Sequence, residues 1–219
     1  MTRRHDMRQF FILLVLLTLI GAAAYGQAPE QVPSFAPTRF DKDQLLNRLS
    51  VLKPFQTEKG KTGSGYAFAL TSEEFKKSLL FLPPERADEV MKAFGMALAF
   101  SFKENTQFLV LTQWRDSEAA KNFMKERDEL WRLTDEKYRS YIKNVAYESL
   151  DIGEGEKALL TRKTIEQGSQ KQDVTTFISA HNAYFFECTL MGNYENNEMT
   201  KLIVQIWKII ESEAKKVQH

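Results

Sequence analysis

The sequence predicts an α+β fold, with an antiparallel sheet of about six or seven strands and helices packed mainly on one face. Short apolar runs separated by polar turns indicate β-hairpins, and long segments with apolar residues at helical spacing indicate amphipathic helices. In each half of the chain, a hairpin with a strongly apolar second strand precedes a polar break and then a helix. Such an order packs as an antiparallel sheet covered by helices.

Turn residues delimit each predicted strand. The apolar runs predict strands over 66–70, 96–102, 107–113, 145–150, 158–165, 174–179 and 183–191. The first strand follows a glycine-rich loop, 59–65. Polar turns over 103–106, 151–156 and 167–172 connect later strands, and His181-Asn182 makes a tight turn before the last one.

Capping residues and prolines delimit the helices. Asp41 is expected to cap the first helix, which presents a leucine face and ends before Pro54. Thr71 begins the second helix, and Pro83-Pro84 ends it and opens a third over about 85–94. Two longer helices follow, over about 118–141 and 198–216, the former capped by Asp116 or Ser117.

Residues 1–26 have the pattern of a secretory signal peptide. Three arginines precede an unbroken apolar run, 10–20, and small residues precede Gln27. We expect cleavage before Gln27 and a periplasmic or secreted protein. The alternative is an uncleaved N-terminal membrane anchor, but the apolar segment is shorter than the roughly 20 residues of a spanning helix. A proline-containing linker, 27–40, then leads to a single α+β domain, 41–219, or to two similar halves, 41–143 and 144–219.

Charge and cysteine content narrow the classes of partner. Removing residues 1–26 takes three Arg and one Asp from the 30 basic and 29 acidic side chains, which leaves 27 and 28 and a net charge of about −1. This balance argues against a nucleic-acid surface, which needs clustered cations. The single cysteine, Cys188, excludes an intramolecular disulfide, and its apolar surroundings predict a buried thiol.

Two segments resemble known folds. The run from Val110 to Ala120 (VLTQWRDSEAA) resembles the strand-to-helix step of ferredoxin-like and dimeric α+β barrel proteins. The Gly-Glu-Gly-Glu turn, the following strands with FISAHNAYFFECTL and the terminal helix resemble exported domains of Mog1/PsbP-like fold. The second resemblance implies a binding or assembly module, and it assigns no functional residues.

Few residues form a chemical motif. Gly60-Lys61-Thr62 has the tail of a P-loop but lacks its first glycine, so we expect a surface loop. The acidic turn Asp151–Glu156 lacks the spacing of a calcium loop. Ser179 and His181 stand close together without a nucleophile elbow. The mixed charges of 121–139 predict a solvated helix face.

The sequence therefore predicts an exported, non-catalytic binding or assembly module of a bacterial cell envelope. A groove between sheet and helices would hold an envelope protein or an apolar small molecule, with Trp114, Arg115 and His181 as candidate ligand-binding residues. We expect no metal, cofactor, nucleic acid or stable membrane span after cleavage, and the oligomeric state stays open. One alternative is an enzyme centred on His181 or on the Asp151–Glu156 loop. The other is a dimeric α+β barrel that holds a hydrophobic molecule, or haem ligated by His181.

Overall fold

A computed structural model of the chain describes residue 35 and residues 37–56, 65–79, 82–102 and 106–217. The predicted signal peptide, most of the linker, most of the glycine-rich loop, residues 103–105 and His219 lie outside the described residues. No helix in the described part of the chain combines the length and apolar character needed to cross a bilayer.

The described residues form seven strands and five α-helices, which confirms the predicted α+β class. The strands are β1 (Tyr66–Leu70), β2 (Phe94–Phe102), β3 (Gln107–Trp114), β4 (Ile142–Gly153), β5 (Glu156–Gln167), β6 (Gln170–His181) and β7 (Tyr184–Met191). The helices are α1 (Lys42–Ser50), α2 (Ser72–Lys77), α3 (Pro84–Met91), α4 (Ser117–Lys137) and α5 (Asn196–Val217), with a 3₁₀ turn at Lys53–Phe55. Every predicted element is present, although β4 is twice as long as the short strand that the sequence predicted.

All seven strands belong to one antiparallel sheet in the order β1-β2-β3-β7-β6-β5-β4. The last strand in the chain, β7, lies between β3 and β6, where its register runs from Phe108 opposite Thr189 to Gln113 opposite Tyr184. The two hairpin-plus-helix segments therefore share one sheet and are joined through its centre.

Helices cover both faces of the sheet, so the prediction that they pack mainly on one face is wrong. On one face, α1 and α5 pack over a core that includes Leu98, Phe100 and Phe186. On the opposite face, α2, α3 and α4 pack over a second core. The physical reason lies in the central strands, whose consecutive side chains are buried on both faces and therefore form continuous apolar runs.

Helix caps follow the sequence closely. The Asp41 carboxylate accepts hydrogen bonds from the backbone N–H groups of Asp43 and Gln44, which confirms the predicted start of α1. Thr71 and Glu74 form a reciprocal capping box at the start of α2. Asp116 caps α4 through Ala119 N–H. Each such cap contributes about 1 kcal/mol because it satisfies amide groups that the helix leaves unpaired.

Candidate functional site

The N-terminal segment, defined as residues 35 and 37–40, lies against one end of the sheet. Thr38 N–H donates to Gln113 Oε1 across 2.6 Å, and Thr38 Oγ1 lies 2.9 Å from the Tyr184 hydroxyl. The Phe40 ring packs edge-on against the Tyr184 ring. This part of the predicted linker is therefore anchored to the sheet before α1 begins.

An open cleft of about 760 Å³ lies beside the N-terminal segment. Its walls come from that segment, from the end of β3, from the β6–β7 turn and from the last turns of α5. Its lining residues are Pro37, Thr38, Arg39, Gln113, Asn182, Ala183, Tyr184, Glu211, Ala214, Lys215 and Val217. Seven of these eleven lining residues are polar or charged, and the lining brings together four regions that are distant in sequence.

His181 lies next to this cleft, at the end of β6. Its Nδ1 is 2.6 Å from Glu156 Oε2 at the start of β5, and its Nε2 is 2.7 Å from Glu211 Oε1 in α5. Each ring nitrogen therefore faces one carboxylate. The ring also lies 5.6 Å from the Trp207 ring. His181 thereby connects two strands of the sheet to the helix that forms one wall of the cleft.

Ser179 does not interact with His181 as a nucleophile would. Its side chain is fully buried, and its hydroxyl oxygen accepts a hydrogen bond from Trp207 Nε1 at 2.9 Å. Both nitrogens of His181 face carboxylates instead. The two residues therefore serve two separate contacts between β6 and α5.

Trp114 and Arg115 do not join His181 in the cleft. The Trp114 side chain is 1 % exposed and packs against Phe123, while its Nε1 donates to Thr112 Oγ1. Its backbone N–H donates to the carbonyl of Ala183, so only its main chain reaches the β6–β7 turn. The Arg115 guanidinium is exposed and pairs with neighbouring Asp116. Trp114 is thus a core residue rather than the exposed groove residue that the sequence suggested, because it lies on the face covered by α4.

The acidic turn and the cysteine have structural surroundings. Asp151 Oδ1 accepts from Gly153 N–H within the turn, and only Glu156, at its end, contacts His181. The two sites proposed for an enzyme, His181 and this loop, therefore meet at one residue. Cys188 is fully buried, as predicted, and burial raises the pKa of its thiol well above the usual range.

A buried charge cluster lies between α4 and the sheet. Arg127 donates to Glu187 in β7 through two nitrogens, and Lys163 Nζ in β5 lies 2.5 Å from Asp135 Oδ1. All four side chains are at most 12 % exposed. The prediction that 121–139 presents a solvated face is therefore wrong for Arg127 and Asp135, which face the sheet.

Two aromatic side chains add further contacts to Lys163 and Asp135 in this cluster. Lys163 Nζ also lies 4.4 Å from the centroid of the Trp131 ring, and the Tyr147 hydroxyl donates to Asp135 Oδ2. Burial lowers the pKa of Lys163, although Asp135 acts in the opposite direction. Desolvation and the hydrogen bond to Asp135 raise the pKa of Tyr147. Because both ion pairs are closed beneath α4, the cluster stabilises the α4–sheet contact and offers no open binding site.

No family model matches this chain, and no curated protein is similar to it. Among the described residues, no group of three or more His, Cys, Asp or Glu side chains is placed to hold a metal ion.

Sequence reasoning identified His181 but missed most of the residues around the cleft. Thr38 lies in a proline-containing segment that the sequence predicts to be a linker. Glu211 lies on a helix that the sequence predicts from its apolar face, which gives no reason to single out a carboxylate. Tyr184 and Gln113 pair across β3 and β7, strands separated by about 70 residues in the chain. One signal was available, because Tyr184 follows the predicted tight turn and must lie close to His181.

Proposed function

We propose that this protein is an exported, non-catalytic binding or assembly module of a bacterial cell envelope, and that its ligand or partner binds in the cleft. One observation carries the proposal. Four separate parts of the chain form the cleft, and the hydrogen bonds of Thr38 and the contacts of His181 hold them together. Concave sites with a few convergent polar groups are the usual form of a ligand site.

The contacts of His181 support binding over catalysis. A general base needs a ring nitrogen within reach of the proton that it removes. Both nitrogens of His181 are held by carboxylates, and the nearby Ser179 hydroxyl is buried against Trp207. In this position the ring orients Glu211, which lines the cleft.

The same contacts weigh against the haem-binding alternative. An axial histidine offers a free ring nitrogen to iron, which would break the contact with Glu156 or with Glu211 here. A dimeric α+β barrel also needs an open sheet face, whereas α2–α4 and α1 with α5 cover the two faces of this sheet. The seven polar or charged residues of the lining suit a ligand or protein segment that carries polar groups.

Export rests on the N-terminal sequence alone. The basic residues, the apolar run and the small residues before Gln27 support cleavage by a signal peptidase. The assignment to a cell envelope follows from this pattern and from the resemblance of the C-terminal segments to exported domains.

Two measurements on one preparation test this proposal. Cells expressing the full chain are fractionated, and the protein is sequenced from its N-terminus. We expect an extracytoplasmic protein that begins at Gln27. Native mass spectrometry of that protein should then show an additional mass that is lost after unfolding and refolding in clean buffer. A cytoplasmic protein with an intact N-terminus contradicts export, and an exported protein that turns over a substrate contradicts a non-catalytic role.

A further inference from the structure

Two cations face the cleft without an ion-pair partner among the described residues. Arg39 lies in the N-terminal segment and Lys215 lies in the last turn of α5, so they belong to two different walls. Both side chains are exposed. The lining contains one carboxylate, Glu211, and its Oε1 is already 2.7 Å from His181 Nε2. With two cations and one carboxylate, the described lining carries one excess positive charge.

The neutral groups of the lining also have donors left over. The amide oxygen of Gln113 accepts the Thr38 N–H, so the NH₂ end of that amide is the group it can still offer a ligand. The hydroxyl groups of Thr38 and Tyr184 share one hydrogen bond and therefore use one of their two hydrogens. The second hydroxyl hydrogen is available to an acceptor.

We infer that the cleft recognises an oxyanion, the carboxylate or phosphate group of its ligand. Arg39 and Lys215 supply the positive charges that attract the anion. The Arg39 guanidinium can pair with a carboxylate or a phosphate through two parallel hydrogen bonds. Gln113 and the Thr38–Tyr184 pair supply neutral donors. His181 contributes indirectly, because it holds Glu211 and so reduces the repulsion between that carboxylate and an incoming anion. This inference rests on the proposed function, since it names the chemistry of the same cleft.

A titration followed by nuclear magnetic resonance tests the inference. Protein purified from cells expressing the full chain is labelled with ¹⁵N and titrated at constant ionic strength. The probes are an N-acetylated alanine peptide with a free carboxylate, the same peptide with a carboxyl-terminal amide, and inorganic phosphate. We expect the free carboxylate or phosphate to shift the backbone signals of Thr38, Arg39, Asn182 and Lys215, and the amide to leave them unchanged. The anion that binds with the higher affinity identifies whether the natural group is a carboxylate or a phosphate.

Charge-neutral variants separate the cleft from general surface charge. The double variant Arg39→Gln with Lys215→Gln should weaken binding by about tenfold or more, because it removes two charge-assisted contacts. Lys208→Gln removes an exposed cation from the same helix but outside the cleft, and it should leave the affinity unchanged. Circular dichroism checks that the variants keep their fold.

Three results would overturn the inference. They are equal binding of the amidated peptide, unchanged affinity in the Arg39 and Lys215 double variant, and an absence of shifts with both anions. Equal binding of the amidated peptide leaves the cleft as a binding site and removes only its preference for anions. Failure of the proposed function is recognised separately, by the location and bound mass of the protein isolated from cells.

Discussion

Nε2 of His181 lies 2.7 Å from Oε1 of Glu211 and joins the end of β6 to α5. Glu211 lines the cleft, and the other nitrogen of the same ring binds Glu156 at the start of β5. One partly buried ring therefore lies between two carboxylates that would otherwise repel each other. His181 is therefore one of the contacts that join α5 to the sheet, beside the buried apolar face of that helix.

Replacing His181 with Gln should destabilise the protein. The amide does not reproduce the positions of the two ring nitrogens, so it leaves a partly buried carboxylate without this partner, at a cost of about 1–3 kcal/mol in the free energy of unfolding. Lys121→Gln is the matched control, because this exposed lysine is 3.9 Å from Glu156 and should contribute little. Urea unfolding of both variants measures the difference. Equal stability of the two variants would show that His181 does not contribute to the contact with α5.

Replacing Gly95 with Ala should displace the N-terminal segment. A Cβ at this position would lie 2.6 Å from Cζ of Phe35 and 3.2 Å from the carbonyl oxygen of Gln113. The Phe35 ring must move, and the Thr38 contacts beside the cleft should weaken with it. Limited digestion with trypsin measures this change as faster cleavage after Arg39. Cleavage after Arg132 in α4 reports general unfolding and should not change. An unaltered rate at Arg39 would mean that the segment tolerates the extra methyl group.

Removing Lys163 should cost more than removing an exposed cation. Lys163→Met leaves the Asp135 carboxylate, 2 % exposed, with the Tyr147 hydroxyl as its remaining partner in the cluster, at a cost of about 3–5 kcal/mol. The double variant Lys163→Met with Asp135→Leu should lose less than the two single variants together, because it leaves no uncompensated charge. Lys92→Met, at an exposed pair with Glu89, should leave stability nearly unchanged. Additive losses at Lys163 and Asp135 would argue against a direct interaction.

Acid should weaken the contact between α1 and α5. Burial raises the pKa of Glu213, but hydrogen bonds and charges from Lys216 and Arg48 outweigh it and hold the pKa below its ordinary value of 4.5. A carboxylate whose pKa is lower in the folded state than in the unfolded state stabilises the fold at pH values above its unfolded-state pKa. This stabilisation is lost as the pH falls through the folded-state pKa.

We therefore expect the free energy of unfolding to decrease as the pH falls below about 4.5, the ordinary pKa of this carboxyl group. Glu213→Gln should be less stable than the unaltered protein at neutral pH. Its free energy of unfolding should also decrease less on acidification. Glu129→Gln, at an exposed position in α4, serves as the control and should follow the unaltered protein. Urea unfolding over a pH series measures all three. If Glu213→Gln loses as much stability in acid as the unaltered protein does, the group that titrates is not Glu213.

Local patterns in the sequence predicted the elements, because caps and turns act over a few residues. Asp41, Thr71 and Asp116 begin helices as expected, and the acidic and polar turns connect strands. The hairpin-plus-helix order predicts helices on one face only, whereas the side chains of β2 and β3 are buried on both faces. Their consecutive buried side chains are the mark of strands with helices on both faces.

The candidate site was harder to predict because its contacts join distant residues. The sequence marks His181 as a candidate, but its contact with Glu211 depends on how α5 packs against the sheet. The contact of Thr38 with Tyr184 likewise depends on how the N-terminal segment packs. Arg127 and Asp135 look like parts of an exposed helix in sequence. Their burial depends on Glu187 and Lys163, which lie on strands of the opposite half of the chain.

Photo-crosslinking in cells tests the cleft most directly. A photoreactive phenylalanine analogue is placed at Val217, which lines the cleft and is 41 % exposed, or at Val51, which is 51 % exposed and lies outside it. We predict a discrete adduct from position 217 that is absent from position 51. Identical adducts from both positions, or none from position 217, would contradict the account of the cleft as the binding site.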